Sequence, residues 1–153
     1  TYEGYGPHGI AVVVDTLSDS KNRTVAELRH AFSANGGNLA ENGAVSWMFM
    51  HAGVVRIANK GVTEDSLLEK LMNYNIHDIR SDEESFSIIC DPKSIESIKK
   101  ALDADGIKVE SAELEWVAKT PMKISDDQSD KALDFLSEIQ DLDDVQNVYT
   151  NLA

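Results

Sequence analysis

Among the side chains of this sequence that could ligate a metal or move a proton, the most suggestive are His8, His30, His51 and His77, the thiol of Cys90, and the carboxylates Asp141, Asp143 and Asp144. No histidine lies three or four residues from another histidine or from the cysteine, so the ligand spacing of a zinc site is missing, and structural or surface roles are expected for all four. Cys90 closes an apolar run and reads as a buried small hydrophobe. A nucleophilic thiol would need a depressed pKa and an orienting base, and nothing in the spacing supplies them. The three aspartates lack the glycine of a calcium loop and read as a solvated turn before a strand. Gly4-Tyr5-Gly6 precedes an apolar run instead of joining a strand to a helix, as a phosphate-binding loop would. With no paired acid, base or nucleophile in view, neither an enzyme nor a bound cofactor or metal is expected.

The basic residues Lys21, Arg23 and Arg29 stand against five acidic ones in residues 1–50, in a chain of 153 residues with a net charge of −13. They are a candidate polar contact site. The competing reading is local pairing with Asp19 and Glu27, which surface geometry allows at little energy. Affinity for nucleic acid comes largely from neutralised phosphates, so the chain by itself is expected to bind it weakly. An RNA-recognition sheet is not expected, because the basic and aromatic run that such a sheet carries on a central strand is missing. At 42% apolar and 27% charged residues the composition is that of an ordinary globular chain. No apolar run approaches the roughly 20 residues of a membrane span, and a lone cysteine without a signal peptide suggests a reducing, cytoplasmic setting.

The elements that would position these residues follow from periodicity. Ile10–Val14, IAVVV, is a short β-branched run and reads as a central strand behind a Gly-rich lead-in, Tyr2–Gly9. The stretch that begins at Asp19 reads first as a capped helix. Thr24 and Glu27 have the spacing of a capping box, though Asn22 or Asp19 could cap instead. Val25, Leu28 and Phe32 form the apolar face, and Asn35-Gly36-Gly37 is the stop. After an Asn42-Gly43 turn, Ala44–Met50 alternates as a strand, with Val45, Trp47 and Phe49 on one face.

A second pattern follows. Gly53–Ala58 is a strand, and Thr63 caps a helix with Leu67, Leu68 and Leu71 on its core face. Asp78–Ser81 and Phe86–Cys90 are strands. Asp91-Pro92 opens a helix carrying Ile95, Ile98 and Leu102, and Lys108–Val117 is a long strand with Ala112, Leu114 and Trp116 inward. That order is β-α-β-β-α-β, the ferredoxin-like arrangement. The first pattern then resumes. Met122–Ile124 is a short strand, Ser125 and Gln128 form a capping box, Ala132, Leu133, Leu136 and Ile139 face a core, and Val145–Thr150 is a last strand. The fold class expected is α+β: two ferredoxin-like domains, residues 51–118 inserted into a discontinuous domain made of 1–50 plus 119–153. Two consecutive units with different pairing are the alternative.

The stretches TYEGYGPHGIAVVVDTLSDSKNRTVAELRHAF, GGNL, Val45–Phe49 and DLDDVQNVYTN resemble the YebC family. That family includes bacterial proteins described as transcriptional regulators and the mitochondrial translational activator of cytochrome c oxidase subunit I. The likeness rests on Tyr2, Glu3, Gly4, Tyr5, Gly6, Pro7 and Gly9, on Asn22, Arg23, Thr24, Arg29 and Phe32, and on Gly36, Gly37, Leu39, Gly43, Val45 and Phe49. His8, Ala40, Ala44 and Thr150 depart from the family pattern. The resemblance implies two α/β domains, one nested in the other, following an N-terminal helical domain that is absent here and would hold most of the basic surface.

It further implies a non-enzymatic regulator of gene expression that binds DNA, or that acts on messenger RNA or the ribosome. Lys21, Asn22, Arg23 and Arg29 are the candidate contacts. The glycine-rich motif of Tyr2, Gly4, Tyr5, Gly6, Pro7, Gly9, Gly36, Gly37 and Gly43 is expected to hold geometry between domains. A cytoplasmic monomer without membrane contact is expected. The other function class in view is a ligand-sensing or protein-interaction module.

Overall fold

The computed structural model describes residues 1–152. The chain separates into two compact units, residues 1–50 with 116–153 and residues 51–115. Helices and antiparallel strands segregate in each, so the class is α+β.

In the first unit, β1 (Tyr2–Tyr5), β2 (Ala11–Thr16), β3 (Asn38–Ala40) and β8 (Val145–Thr150) form a four-stranded sheet in the order β3-β1-β2-β8. All three pairings are antiparallel. The helices are α1 (Lys21–Ala34) and α4 (Asp126–Gln140). The unbroken apolar run of β2 is explained by cover on both faces. Val12 and Val14 pack with Leu28, Ala31 and Phe32 of α1 and with Ala132, Phe135 and Ile139 of α4. Ala11 and Val13 pack with Val45, Phe49 and Ala118. Phe32 and Phe135 join the two helices edge to face, with ring centroids 5.0 Å apart.

The second unit holds α2 (Glu64–Leu71), β5 (Ile76–Ser81), β6 (Ser85–Cys90) and α3 (Ile95–Ala104). Together with β4 (Phe49–Ala58) and β7 (Val109–Ala118) its strands run in the order β5-β6-β4-β7. Val55, Ile57, Ile79, Phe86, Ile88 and Cys90 of this sheet pack against Leu67, Leu71, Ile98 and Leu102 of the helices. On the same sheet Arg56 forks onto the Glu115 carboxylate. Both β4 and β7 run across the residue boundary between the units.

Several expectations need correction. The Gly-rich lead-in is itself a strand, so two successive strands precede α1 and the first unit does not follow the order β-α-β-β-α-β. The backbone can come this close only where side chains are missing: a Cβ on Gly37 would lie 2.1 Å from the Tyr5 carbonyl oxygen. Ala44–Met50 is not one strand. Residues Ser46–Met48 form a 3₁₀ turn, β4 begins at Phe49, and Trp47 points away from the core with 65% exposure. Leu68 and Leu133 are likewise half exposed, each at the margin of its helix's apolar face, where the periodic pattern allows either side. Leu114 on β7 is half exposed too, while its neighbour Glu115, paired with Arg56, is the more buried of the two. Met122 makes only an isolated bridge to Leu152.

Candidate functional site

The first turn of α1 begins four residues earlier than the Thr24–Glu27 spacing suggests. Ser20 is the N-cap, its hydroxyl accepting from the amide of Arg23. Thr24 is thereby placed inside the helix, where it is 2% exposed. Its single hydroxyl proton has two acceptors in reach, the Asp144 carboxylate at 2.8 Å and the Ser20 carbonyl at 3.1 Å. Asp144 is not a solvated turn residue. It is 8% exposed and also accepts from Ser18 Oγ at 3.1 Å and from Arg23 Nη2 at 3.0 Å. The Leu17 amide donates to its main-chain carbonyl at 2.8 Å. One carboxylate therefore ties the start of α1 to the turn that follows α4. The Thr24 hydroxyl and the Arg23 guanidinium hold the Asp144 pKa below the ordinary aspartate value, and Asp144 raises that of Arg23 in return.

Of the four candidate contacts, Lys21, Asn22, Arg23 and Arg29 all lie exposed on α1. Arg23 has its charge answered by Asp144 and, at 3.4 Å, by Asp19. Pairing with Asp19 was the local alternative, whereas Glu27 makes no salt bridge with it. Asp144, 121 residues away in sequence, carries no spacing signal that could have disclosed it.

A second polar node organises the turn before β4. Glu3, on β1, is 5% exposed. Its carboxylate accepts from the amides of Gly43 at 2.8 Å, Val45 at 3.0 Å and Ser46 at 2.8 Å. Burial works against the charge, but these amides outweigh it and lower the Glu3 pKa below the ordinary glutamate value. Gly43 adopts φ +94°, which lets its amide point back at Glu3. The turn so held presents Trp47, whose indole Nε1–H donates to the Ala44 carbonyl at 3.0 Å. Trp47, Met48, Lys119, Thr120 and Asn151 line a depression of about 420 Å³.

The glycine-rich motif lies entirely in the first unit. Tyr2, Gly4 and Tyr5 are on β1, Gly6, Pro7 and Gly9 make the turn into β2, and Gly36 and Gly37 lead into β3. The atoms that a Cβ at Gly4, Gly6 or Gly37 would meet all belong to that unit. Cys90 is buried, and that burial, aided by Asp91, pushes its thiol up to about 11. Among the described residues no group of three His, Cys, Asp or Glu side chains is placed to hold a metal ion. No helix among them is long and apolar enough to cross a membrane.

Two compact units, each with helices and a four-stranded sheet, make this an α+β protein, and sequence relationships name the family. Residues 1–152 match the family described as TACO1/YebC second and third domain, and the chain belongs to it. A probable transcriptional regulatory protein of Brachyspira hyodysenteriae is 47% identical over 152 residues, 99% of this chain and 62% of the relative. Another, from Chlorobium phaeobacteroides, is 42% identical over 153 residues, 99% of this chain and 61% of the relative. The crystal structure of a conserved hypothetical protein, Aq1575 from Aquifex aeolicus, superposes with a TM-score of 0.85 at 35% identity, covering 99% of this chain and 63% of that one. The chain thus spans about three fifths of the length of the relatives it matches.

Proposed function

We propose that this chain is part of a non-enzymatic, cytoplasmic regulator of gene expression that acts by contacting DNA, messenger RNA or the ribosome. The observation that carries the reading is that relatives aligned over 99% of the chain are named probable transcriptional regulatory proteins. In this reading the two compact units are a discontinuous domain and an inserted one. The inserted one is ferredoxin-like, supported by its β-α-β-β-α-β order and its strand order β5-β6-β4-β7. Lys21, Asn22 and Arg29 on the exposed side of α1 contribute contacts, and Arg23 contributes less, because Asp144 and Asp19 already answer its charge.

The test is filter binding to duplex DNA and to single-stranded RNA across a salt series, with ribosome co-sedimentation alongside. Lys21→Ala with Arg29→Ala is expected to weaken binding and flatten the salt slope by roughly 0.7–0.9 for each phosphate contact removed. Absence of binding in every format would overturn the reading.

A ligand-sensing module is the second reading. It is favoured by a depression of about 670 Å³ between α2 and β5, where Leu68, Met72, Tyr74 and Ile76 line the wall. It predicts binding that hardly changes with salt.

A further inference from the structure

The depressions at three places in the chain differ in charge. The one beside α2 and β5 is lined by Glu64, Glu69 and Asp78. The one at the start of α1 contains Asp19 and Asp144 with Arg23. The one beside Trp47 has no carboxylate in its lining and carries Lys119. In a chain with 27 acidic residues, an anionic ligand meets the least repulsion at this third place.

Its parts also suit a nucleotide. Trp47 offers an exposed aromatic ring, 65% accessible, and the ring is not loose: its N–H is committed to the Ala44 carbonyl on a turn that Glu3 holds through backbone amides. The backbone that carries the other lining residues is fixed as well. The Lys119 amide donates to the Met48 carbonyl at 2.9 Å. The Asn151 side chain accepts from the Ala11 amide at 2.8 Å, and the Asn151 amide returns a bond to the Ala11 carbonyl at 3.2 Å. A fixed aromatic face beside a cation is how single-stranded nucleic acid is held without reading its sequence. A depression of about 420 Å³ falls within the range of small-ligand sites.

We propose that the Trp47–Lys119 depression binds one nucleotide of single-stranded nucleic acid, its base stacked on Trp47 and its phosphate paired with Lys119. The inference deepens the nucleic-acid reading above and rests on it. It adds to the α1 cations a place where charge and an aromatic surface coincide.

The test uses the full 153-residue chain and fluorescence anisotropy of labelled octamers, oligouridylate and oligothymidylate, which separate RNA from DNA as the source. Trp47→Ala is expected to weaken binding roughly 5- to 150-fold, and Trp47→Phe, which keeps a ring, by less. Lys119→Gln is expected to lower the salt slope by about 0.7. Thermal melts establish that each variant is folded; should Trp47→Ala not fold, the Phe and Gln variants decide. The proposal is overturned if octamer affinity is indifferent to residue 47, if inorganic phosphate competes as well as a mononucleotide does, or if no octamer binds at 50 mM salt. In the first case nucleic acid is contacted elsewhere and the regulator reading survives. In the last, ribosome co-sedimentation decides that reading separately.

Discussion

Glu3 and Asp144 are both nearly closed to solvent in the same unit, at 5% and 8% exposure, yet different donors meet them. Asp144 collects side chains, a guanidinium and two hydroxyls. Glu3 collects main-chain amides. The first arrangement consumes a cation: whatever Arg23 could offer an incoming phosphate is offset by the acid beneath it. The second consumes no cation and shapes a turn, leaving Trp47 and Lys119 open. A basic residue near a helix start is therefore a weaker candidate for a phosphate contact when, like Arg23, it already has an acid beside it.

Removing the Glu3 carboxylate tests this contrast most severely. Glu3→Ala leaves three amides without their acceptor and is expected to cost roughly 2–4 kcal/mol in urea denaturation, with a change in tryptophan emission, read in a Trp116→Phe background so that Trp47 alone reports, as the turn loosens. If the turn keeps its emission and stability, backbone capture by Glu3 is not what orders it.

Acid comes next. Both carboxylates have depressed pKa values in the folded protein. Each therefore contributes stability that is present above its unfolded value, about 4.3 for Glu and 3.9 for Asp, and is lost as pH falls through the lower folded value. Denaturation midpoints should be flat near neutrality and fall below about pH 4, and Glu3→Gln should flatten that acid limb. A limb unchanged in both Glu3→Gln and Asp144→Asn would remove these two groups from the account.

A smaller effect is expected from Asp144→Asn, whose oxygen can still accept from Thr24 or Ser18 but no longer neutralises Arg23. Stability should fall by less than in Glu3→Ala, and nucleic-acid affinity should rise as Arg23 is released. A rise that disappears in the Asp144→Asn, Arg23→Ala double variant would assign it to that guanidinium. The smallest stability effect is expected from Trp47→Ala, within about 0.5 kcal/mol in the same urea titration, because the ring is mostly in solvent. A larger loss would make the ring a structural element.

Local signals were legible in the residues. The Thr63 cap and the Ser125–Gln128 capping box occur where their spacing places them, and β8 has the bounds its pattern suggests. The caps depend on neighbours within four residues, and β8 shows itself through its β-branched and aromatic residues. β1 was not legible, since YEGY contains no β-branched residue; it is a strand because β2 and β3 pair with it on either side. Val45-Ser46-Trp47-Met48-Phe49 alternates as a strand should, but Glu3, more than forty positions upstream, bends it into a turn. Asp144 was misread for the same reason: its partners at 18, 23 and 24 become neighbours only once the sheet has formed. Family likeness singled out Glu3 and Arg23 without showing that both are anchored inside the first unit.

The brevity of β3 has a consequence for handling the protein. Only Asn38–Ala40 borders that side of the first sheet, and the chain turns away at once through Asn42-Gly43. An approaching foreign strand would find room for very few ladder bonds there, too few to seed growth of a fibril. Concentrated solutions should accordingly be limited by other surfaces before this margin begins to recruit neighbouring molecules.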